Sequence, residues 1–273
     1  MMDVVSECRN PDLRIQEAFN KALSLKEENQ SEAEKILREC IGMGCTDSMV
    51  ALGNILSSGT DEQKKESFEL FMRAGNAGNP SGLRNAGYAL ALGIGCVKDK
   101  TAAAEWYKRA AEAGHAKAQC NLGVLYSFGN GVPKNDEEAA KWYKMSAENG
   151  YSRGQTNYGE YLMYGCGVKK DTAEAAKWFE ASGSNRASHH LAELYLAGDG
   201  VSQNRSKAVE LLKKSSEGGY AKAMALLASL IIDEDHTYAE SLYIKAAEKG
   251  NQDAAEALKR LGLPVPEVKR MRK

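Results

Sequence analysis

The sequence predicts an all-α solenoid made of tandem helix-turn-helix units. The pattern LGVLYSFGNGVPKNDEEAAKWYKMSAENG at residues 122–150 returns 36 residues later as YGEYLMYGCGVKKDTAEAAKWFEAS. The same offset brings Trp106, Trp142 and Trp178 into register. Apolar residues inside each copy follow helical spacing, which favours helices over strands. Weaker copies on both sides give about six units, with a partial one at the N-terminus.

The first helix of each unit, helix A, is predicted from an apolar face such as Ala118, Leu122 and Tyr126. A glycine recurs beside this face, although glycine costs a helix about 1 kcal/mol relative to alanine. We therefore expect another helix to pass too close for a Cβ atom at each of these positions. The glycines are Gly53, Gly87, Gly123 and Gly159.

The motif GNGV, with its copies GIGC, GCGV and GDGV, ends helix A. Its glycines are able to take positive φ values and so close the helix. A phosphate-binding interpretation is disfavoured, because phosphate cradles join a strand to a helix and these turns join two helices.

The second helix, helix B, is predicted to begin at Asn135, which stands three residues before Glu138 in the spacing of a capping box. Its inner face combines small residues with Trp142 and Tyr143. One tryptophan per central unit therefore indicates a core residue between helices and not a cofactor site.

The string A-x-x-x-L-G-x-x-Y-x-x-G-x-G-V followed by A-A-x-W-Y-x-x-A-A-x-x-G resembles the Sel1-like repeat, a relative of the tetratricopeptide repeat. The match is closest in Gly82–Gly150 and extends over roughly residues 30–260. The resemblance implies a right-handed α/α superhelical solenoid of Sel1-like helix-turn-helix repeats, with A helices lining a concave face. It also implies an adaptor or scaffold that holds proteins together.

Three segments are expected along the chain. Residues 1–30 contain PDLRIQEAFNKALSLKEEN, whose apolar residues share one helical face and predict an N-terminal capping helix. Residues 31–262 hold the tandem repeats. Residues 263–273 form a short basic tail that prolines interrupt.

The charge balance excludes some classes of partner. The chain has 36 basic and 37 acidic residues, a formal net charge of −1, which predicts no binding to nucleic acid or to an anionic membrane. The longest apolar run, AMALLASLII, is too short to span a bilayer, and the N-terminus lacks the pattern of a secretory signal. We expect a soluble, cytoplasmic protein that is a monomer or a weak homo-oligomer.

Cysteine usage bears on an alternative function. Some proteins with this repeat carry a regular pair of cysteines in each unit and are linked to β-lactam binding or hydrolysis. A β-lactam or cell-wall hydrolase is therefore an alternative function, which only this resemblance supports. No Ser-x-x-Lys sequence occurs here, and the cysteines do not recur in phase, which favours free thiols and a non-catalytic scaffold. The cysteines are Cys8, Cys40, Cys45, Cys96, Cys120 and Cys166.

The histidine spacing predicts no metal site and no cofactor. The chain has four histidines, and no two are separated by four residues, the spacing that would place two imidazoles on one helical face. The adjacent pair His189 and His190 points about 100° apart on a helix, so the two cannot face one ion without help.

The candidate binding surface is counted from the recurring small residue of helix A, which is glycine at first and becomes Ala192 and Ala228 in the later repeats. It consists of the positions three residues before that residue and one or four residues after it. These positions vary between repeats, as expected where they face a ligand and not a common core, although an ordinary solvated face is an equal alternative. The partner is expected to be a protein or peptide, and arginine and tyrosine are common hot-spot residues. The proposed contacts are Asn54, Arg84, Tyr88, Glu160, Met163, His189 and Glu193.

Overall fold

A computed structural model describes residues 13–269 of the chain, and within them it contains fifteen α-helices and no strand. Residues 1–12 of the predicted capping segment and residues 270–273 of the predicted tail lie outside the described part. The helices are α1 (Leu13–Leu25), α2 (Gln30–Gly42), α3 (Thr46–Leu56), α4 (Asp61–Asn76), α5 (Pro80–Leu92), α6 (Lys100–Glu112), α7 (Ala116–Phe128), α8 (Asp136–Glu148), α9 (Ser152–Tyr164), α10 (Thr172–Ser182), α11 (Asn185–Ala197), α12 (Arg205–Glu217), α13 (Ala221–Ile231), α14 (His236–Glu248) and α15 (Gln252–Arg260).

The chain divides into two compact units, Met1–Asn149 and Gly150–Lys273. Inside each unit, every helix packs against the next helix in the sequence. The A helices α3 and α5 also touch in the first unit, as do α9 and α11 in the second. This order of contacts is that of stacked helix-turn-helix repeats and confirms the predicted all-α repeat fold.

The helix starts follow the sequence signals in part. Asn135 Oδ1 accepts a hydrogen bond from Glu138 N at 3.0 Å, so Asn135 caps helix α8 as predicted. The carboxylate of Glu138 lies instead 3.7 Å from Lys141 Nζ, so the return half of the capping box is replaced by an ion pair on the helix surface. A reciprocal capping box forms at helix α4, between Thr60 and Gln63.

The turn after each central A helix depends on two glycines with positive φ. In the GNGV turn, Gly129 and Gly131 have φ values of 67° and 78°. A Cβ atom on Gly131 would lie 2.1 Å from the backbone oxygen of Lys100, at the start of helix α6 in the preceding repeat. The second glycine is therefore required both by its conformation and by the close approach of the neighbouring repeat.

The recurring helix A glycines mark close approaches, as the sequence predicts. The element that approaches is an aromatic ring of helix B, since a Cβ atom on Gly123 would lie 2.6 Å from Tyr143 Cε1. The same arrangement pairs Gly53 with Phe71, Gly87 with Tyr107, and Gly159 with Phe179. Glycine thus allows the two helices of one repeat to approach until the ring fills the space between them.

The three tryptophans differ in burial. Trp142 is 7% exposed and belongs to a core cluster with Tyr107, Leu122 and other side chains of the first unit. Trp106 and Trp178 are half-buried, and the Trp178 ring packs edge-on against Tyr158 with centroids 5.8 Å apart. The core assignment therefore holds fully for Trp142 and in part for the other two.

Two further expectations concern membranes and thiols. Between Leu13 and Lys269, no helix has the length and apolar character needed to cross a bilayer. Over the same range no disulfide joins two cysteines, and Cys8 lies outside it.

Gly123→Ala should lower the free energy of unfolding by about 1–2 kcal/mol, because the overpacking against Tyr143 exceeds the gain in helix propensity. Adding Tyr143→Leu should recover part of the loss, since the equivalent positions of a later repeat hold Ala192 and Leu212. Urea unfolding followed by circular dichroism measures both. Gly42→Ala is the control, because no atom lies within 4 Å of its added Cβ. Additive effects of the two substitutions would contradict the proposed contact.

Trp142→Ala should cost about 3–5 kcal/mol, as truncation of a buried aromatic side chain does. Trp178→Ala should cost less, because that ring is already half-exposed. The measurement is the same urea titration. A wild-type unfolding curve for Trp142→Ala would remove this residue from the core.

Candidate functional site

In the first unit, three of the proposed contacts lie together on helices α3 and α5. Asn85 Nδ2 donates to Asn54 Oδ1 at 3.0 Å, and Arg84 Nη1 donates to Asn85 Oδ1 at 2.9 Å. The guanidinium carbon of Arg84 lies 5.1 Å from the centre of the Tyr88 ring, within cation–π range. Asn54, Arg84 and Tyr88 therefore form one connected group on neighbouring A helices.

Arg84 is the most deeply buried member of this group. The residue is 4% exposed, and its Nε has no hydrogen-bond partner within residues 13–269. Asn54 and Tyr88 are half-buried. The groups that face solvent are therefore Tyr88 and Asn54, with the guanidinium held behind them.

In the second unit, Glu160, His189 and Glu193 belong to a polar cluster between helices α9 and α11. Glu160 Oε1 forms an ion pair with Arg186 Nε at 3.0 Å and a charged hydrogen bond with His190 Nε2 at 3.0 Å. The other nitrogen of His190, Nδ1, lies 2.8 Å from Glu193 Oε2. Positive and negative groups thus alternate from Arg186 to Glu193.

The two histidines of this cluster are in opposite protonation states. Burial opposes charging of His190, but its hydrogen bonds with Glu160 and Glu193 outweigh burial and raise its pKa to about 9. Burial lowers the pKa of His189 to about 4, so this ring is neutral near pH 7. Burial also opposes ionisation of Glu193, yet the hydrogen bond from His190 keeps its pKa below the ordinary value.

His189 is a buried polar side chain with an unused nitrogen. Its ring packs edge-on against His190 and Tyr220, with centroids 5.3 Å apart in each case. Its Nδ1 lies 3.5 Å from Glu193 Oε2 but has no hydrogen-bond partner among the described residues. One ligand atom from each of His189, His190 and Glu193 lies within 4.8 Å of the other two. Adjacent residues on a helix point in different directions, but both imidazoles reach the carboxylate of Glu193, which lies one turn further along helix α11.

These side chains line an open cavity of about 440 Å³ in the second unit. Four of its lining residues, His189, Glu193, Ala225 and Ser229, come from the helix A columns that the sequence marks as a binding surface. Met163 is half-buried and lies outside the lining. The full lining is Tyr164, His189, His190, Glu193, Lys222, Ala225, Leu226, Ser229, Tyr243, Asp253, Ala257 and Arg260.

A further surface feature recurs at the last residue of the central A helices. Leu92, Phe128 and Tyr164 occupy equivalent positions 36 residues apart, and they are 53%, 71% and 60% exposed. Each precedes the αL glycine that ends its helix. Large apolar side chains are thus exposed at the same place in three successive repeats.

Sequence reasoning missed Arg186, His190 and the exposed residue at the end of helix A. The spacing of His190 and Glu193, three residues apart on one helix, could have indicated the ion pair. The pair of Glu160 and His190 joins residues 30 positions apart and required the repeat stacking to be known. The register that aligns Leu92 with Phe128 and Tyr164 was visible, but apolar residues at helix ends resemble core positions.

Together, the fold and this surface define a helical repeat protein whose A helices carry the variable side chains. The Sel1 repeat sequence profile matches residues 80–115, 116–151, 152–186, 185–220 and 221–251. The chain therefore belongs to the Sel1 repeat family. Sel1 repeats generally act as protein–protein interaction scaffolds and are typically not enzymes.

Solved structures agree with this assignment. A Sel1 repeat protein from Oxalobacter formigenes is 25% identical with a TM-score of 0.74, over 84% of this chain and 96% of that chain. The protective antigen c5321 of uropathogenic Escherichia coli, which has an SLR fold, is 26% identical with a TM-score of 0.56, over 87% of this chain and 61% of its own. The immunity protein Pa5087 from Pseudomonas aeruginosa is 16% identical with a TM-score of 0.51, over 77% of this chain and 84% of its own, a likeness of fold alone. A comparison with curated proteins finds no match.

Glu160→Gln should destabilise the protein by about 1–3 kcal/mol, because Arg186 and His190 then share a neutral acceptor in place of a carboxylate. Glu180→Gln is the matched control, since Glu180 forms an exposed pair with Lys207 at 3.4 Å and should change stability by less than about 0.5 kcal/mol. Urea unfolding at neutral pH measures both variants. Equal effects would show that the buried network adds no more to stability than a surface ion pair.

Proposed function

We propose that this chain is a non-catalytic scaffold that binds a protein or peptide partner along its A-helix face. The observation that carries the proposal is the exposure of Leu92, Phe128 and Tyr164 at one repeated position. Isolated exposed apolar side chains are ordinary, but large ones that recur at one repeat position support a role in binding. The function general to Sel1 repeats supports the same assignment.

The place of these side chains in the repeat leaves them available for contact with a partner. On helices α3, α5, α7 and α9, the inward position already holds a glycine against a ring of helix B. The last residue of the helix comes just before the turn glycine and lies beyond that core. Burying such side chains against a partner contributes about 25 cal/mol for each Å² of apolar surface removed from water.

The polar contacts proposed from the sequence would add specificity around these apolar anchors. Tyr88 and Asn54 supply an aromatic ring and an amide in the first unit, and the Arg84 guanidinium behind them favours an acidic group of the partner. In the second unit, Met163 lies next to Tyr164, and His189 and Glu193 line the cavity. The carboxylates of Glu160 and Glu193 already contact cations of this chain, so we assign them a weaker part in attracting a basic partner.

The hydrolase alternative is not supported by any arrangement among the described residues. The polar cluster contains histidines and carboxylates, but no serine or cysteine is hydrogen-bonded to either histidine within residues 13–269. We therefore assign the surface to binding.

The combined change Leu92→Ser, Phe128→Ser and Tyr164→Ser should reduce partner binding about tenfold or more while leaving helicity and melting temperature unchanged, since all three side chains are exposed. The partner is captured from the native lysate on immobilised wild-type protein, identified by mass spectrometry, and titrated against each variant by calorimetry.

The matched control is the triple change Leu13→Ser, Val97→Ser and Val268→Ser. These side chains are 72%, 86% and 58% exposed, but none is the last residue of a helix A. The control should bind like the wild type. Wild-type affinity in the first triple variant, or equal losses in both, would show that the partner uses another surface.

A further inference from the structure

Helix α11 brings a nitrogen of His189, a nitrogen of His190 and a carboxylate oxygen of Glu193 close together. His189 Nδ1 and His190 Nδ1 lie 3.5 Å and 2.8 Å from the same carboxylate oxygen, Glu193 Oε2. Nitrogen and oxygen ligands about 2.0–2.1 Å from a tetrahedral zinc ion are about 3.3 Å from one another. The two distances to Glu193 Oε2 are therefore close to that spacing, and the two imidazoles each have a nitrogen within 4.8 Å of the other's.

We propose that His189 Nδ1, His190 Nδ1 and Glu193 Oε2 bind one divalent transition-metal ion of the zinc class, with Glu160 orienting the His190 ring through its Nε2–H. Two imidazoles and one carboxylate form a ligand set that suits such ions. The three protein ligands leave a coordination position for an atom from the cavity that they line.

The unpartnered nitrogen of His189 is the independent reason to expect a ligand here. His189 is 5% exposed, and its buried Nδ1 forms no hydrogen bond within residues 13–269. A buried polar atom without a partner is costly, and native structures usually satisfy it. Metal ligation would satisfy this atom without displacing any hydrogen bond that His189 now makes through it.

The contact between Glu160 and His190 is the kind of hydrogen bond that usually orients a metal-binding histidine. A ligating histidine commonly donates its second ring N–H to a carboxylate, which fixes the tautomer and the ring orientation. Here Glu160 Oε1 lies 3.0 Å from His190 Nε2. The Phe179 ring stacks on His190 at 5.4 Å between centroids and further restrains it.

Metal binding at this site releases one proton. His190 donates hydrogen bonds from both nitrogens in the absence of metal, so the ion replaces the proton on Nδ1 and that proton is released to solvent. Nε2 keeps its proton and its bond to Glu160. Lys222 also lines the cavity, but its side chain is exposed, and a long flexible lysine is able to turn its ammonium away.

Zinc titration in competition with a chromophoric chelator tests the site on the isolated protein, with no partner present. We expect one tightly bound Zn²⁺ per chain and a loss of affinity of about tenfold or more in His189→Gln, which removes one ligand. His236→Gln is the matched control, because His236 also pairs with a glutamate one turn away, Glu240 at 3.0 Å, but is exposed. It should bind zinc like the wild type.

Cobalt substitution distinguishes this site from the cysteines, which also bind zinc. Co²⁺ at a tetrahedral nitrogen and oxygen site gives visible absorption without the near-ultraviolet charge-transfer band of a thiolate ligand. If His189→Gln is poorly folded by circular dichroism, Glu193→Gln and the wild-type cobalt spectrum provide the test. The proposal is overturned by a thiolate band, by no stoichiometric uptake in the wild type, or by equal affinities of wild type and His189→Gln.

Discussion

The close contact between a glycine of helix A and an aromatic ring of helix B is the constraint on which the repeats depend. At Gly123, a methyl group would already overlap the Tyr143 ring. The contact sets how deeply the two helices approach, and it fixes their relative register, because the ring fits over one position only. Because the contact recurs at Gly53, Gly87, Gly123 and Gly159, it sets the same packing in four repeats, each of which contacts mainly its neighbours.

The turn glycines extend this constraint from one repeat to the next. Gly131 approaches the backbone of Lys100 in the preceding repeat so closely that a side chain has no room. The chain thus uses glycine for two purposes, packing inside a repeat and contact between repeats. Side chains vary at other positions of helix A, some of which are also buried, as Arg84 and His189 are.

The repeat beginning at helix α11 departs from its neighbours, and the polar cluster lies in this repeat. The central glycine is replaced by Ala192, and the helix B ring by Leu212. Two buried histidines occupy the helix, and His190 packs on Phe179 of the preceding helix while its nitrogens face two carboxylates. Burying an imidazolium is tolerable because both charges beside it are negative and hydrogen-bonded. The equivalent positions of the preceding repeats hold Arg84 and Asn85, Cys120 and Asn121, and Thr156 and Asn157. Polar side chains are therefore usual at this place, and the repeat of helix α11 differs in holding two histidines there.

The sequence by itself determined the helical repeat, the positions of the glycines and of Trp142, and the N-caps, because each depends on local propensity or on a spacing that recurs along the chain. It also indicated that Arg84 and Tyr88, and likewise His189 and Glu193, share a face of helix A. Only the tertiary structure decided that the Arg84 side chain is buried, that Asn54 meets Asn85 across helices α3 and α5, and that Glu160 reaches His190 in the next repeat. These contacts depend on the distance and rotation between neighbouring helices, which packing sets to within about an ångström and which no one-dimensional spacing contains.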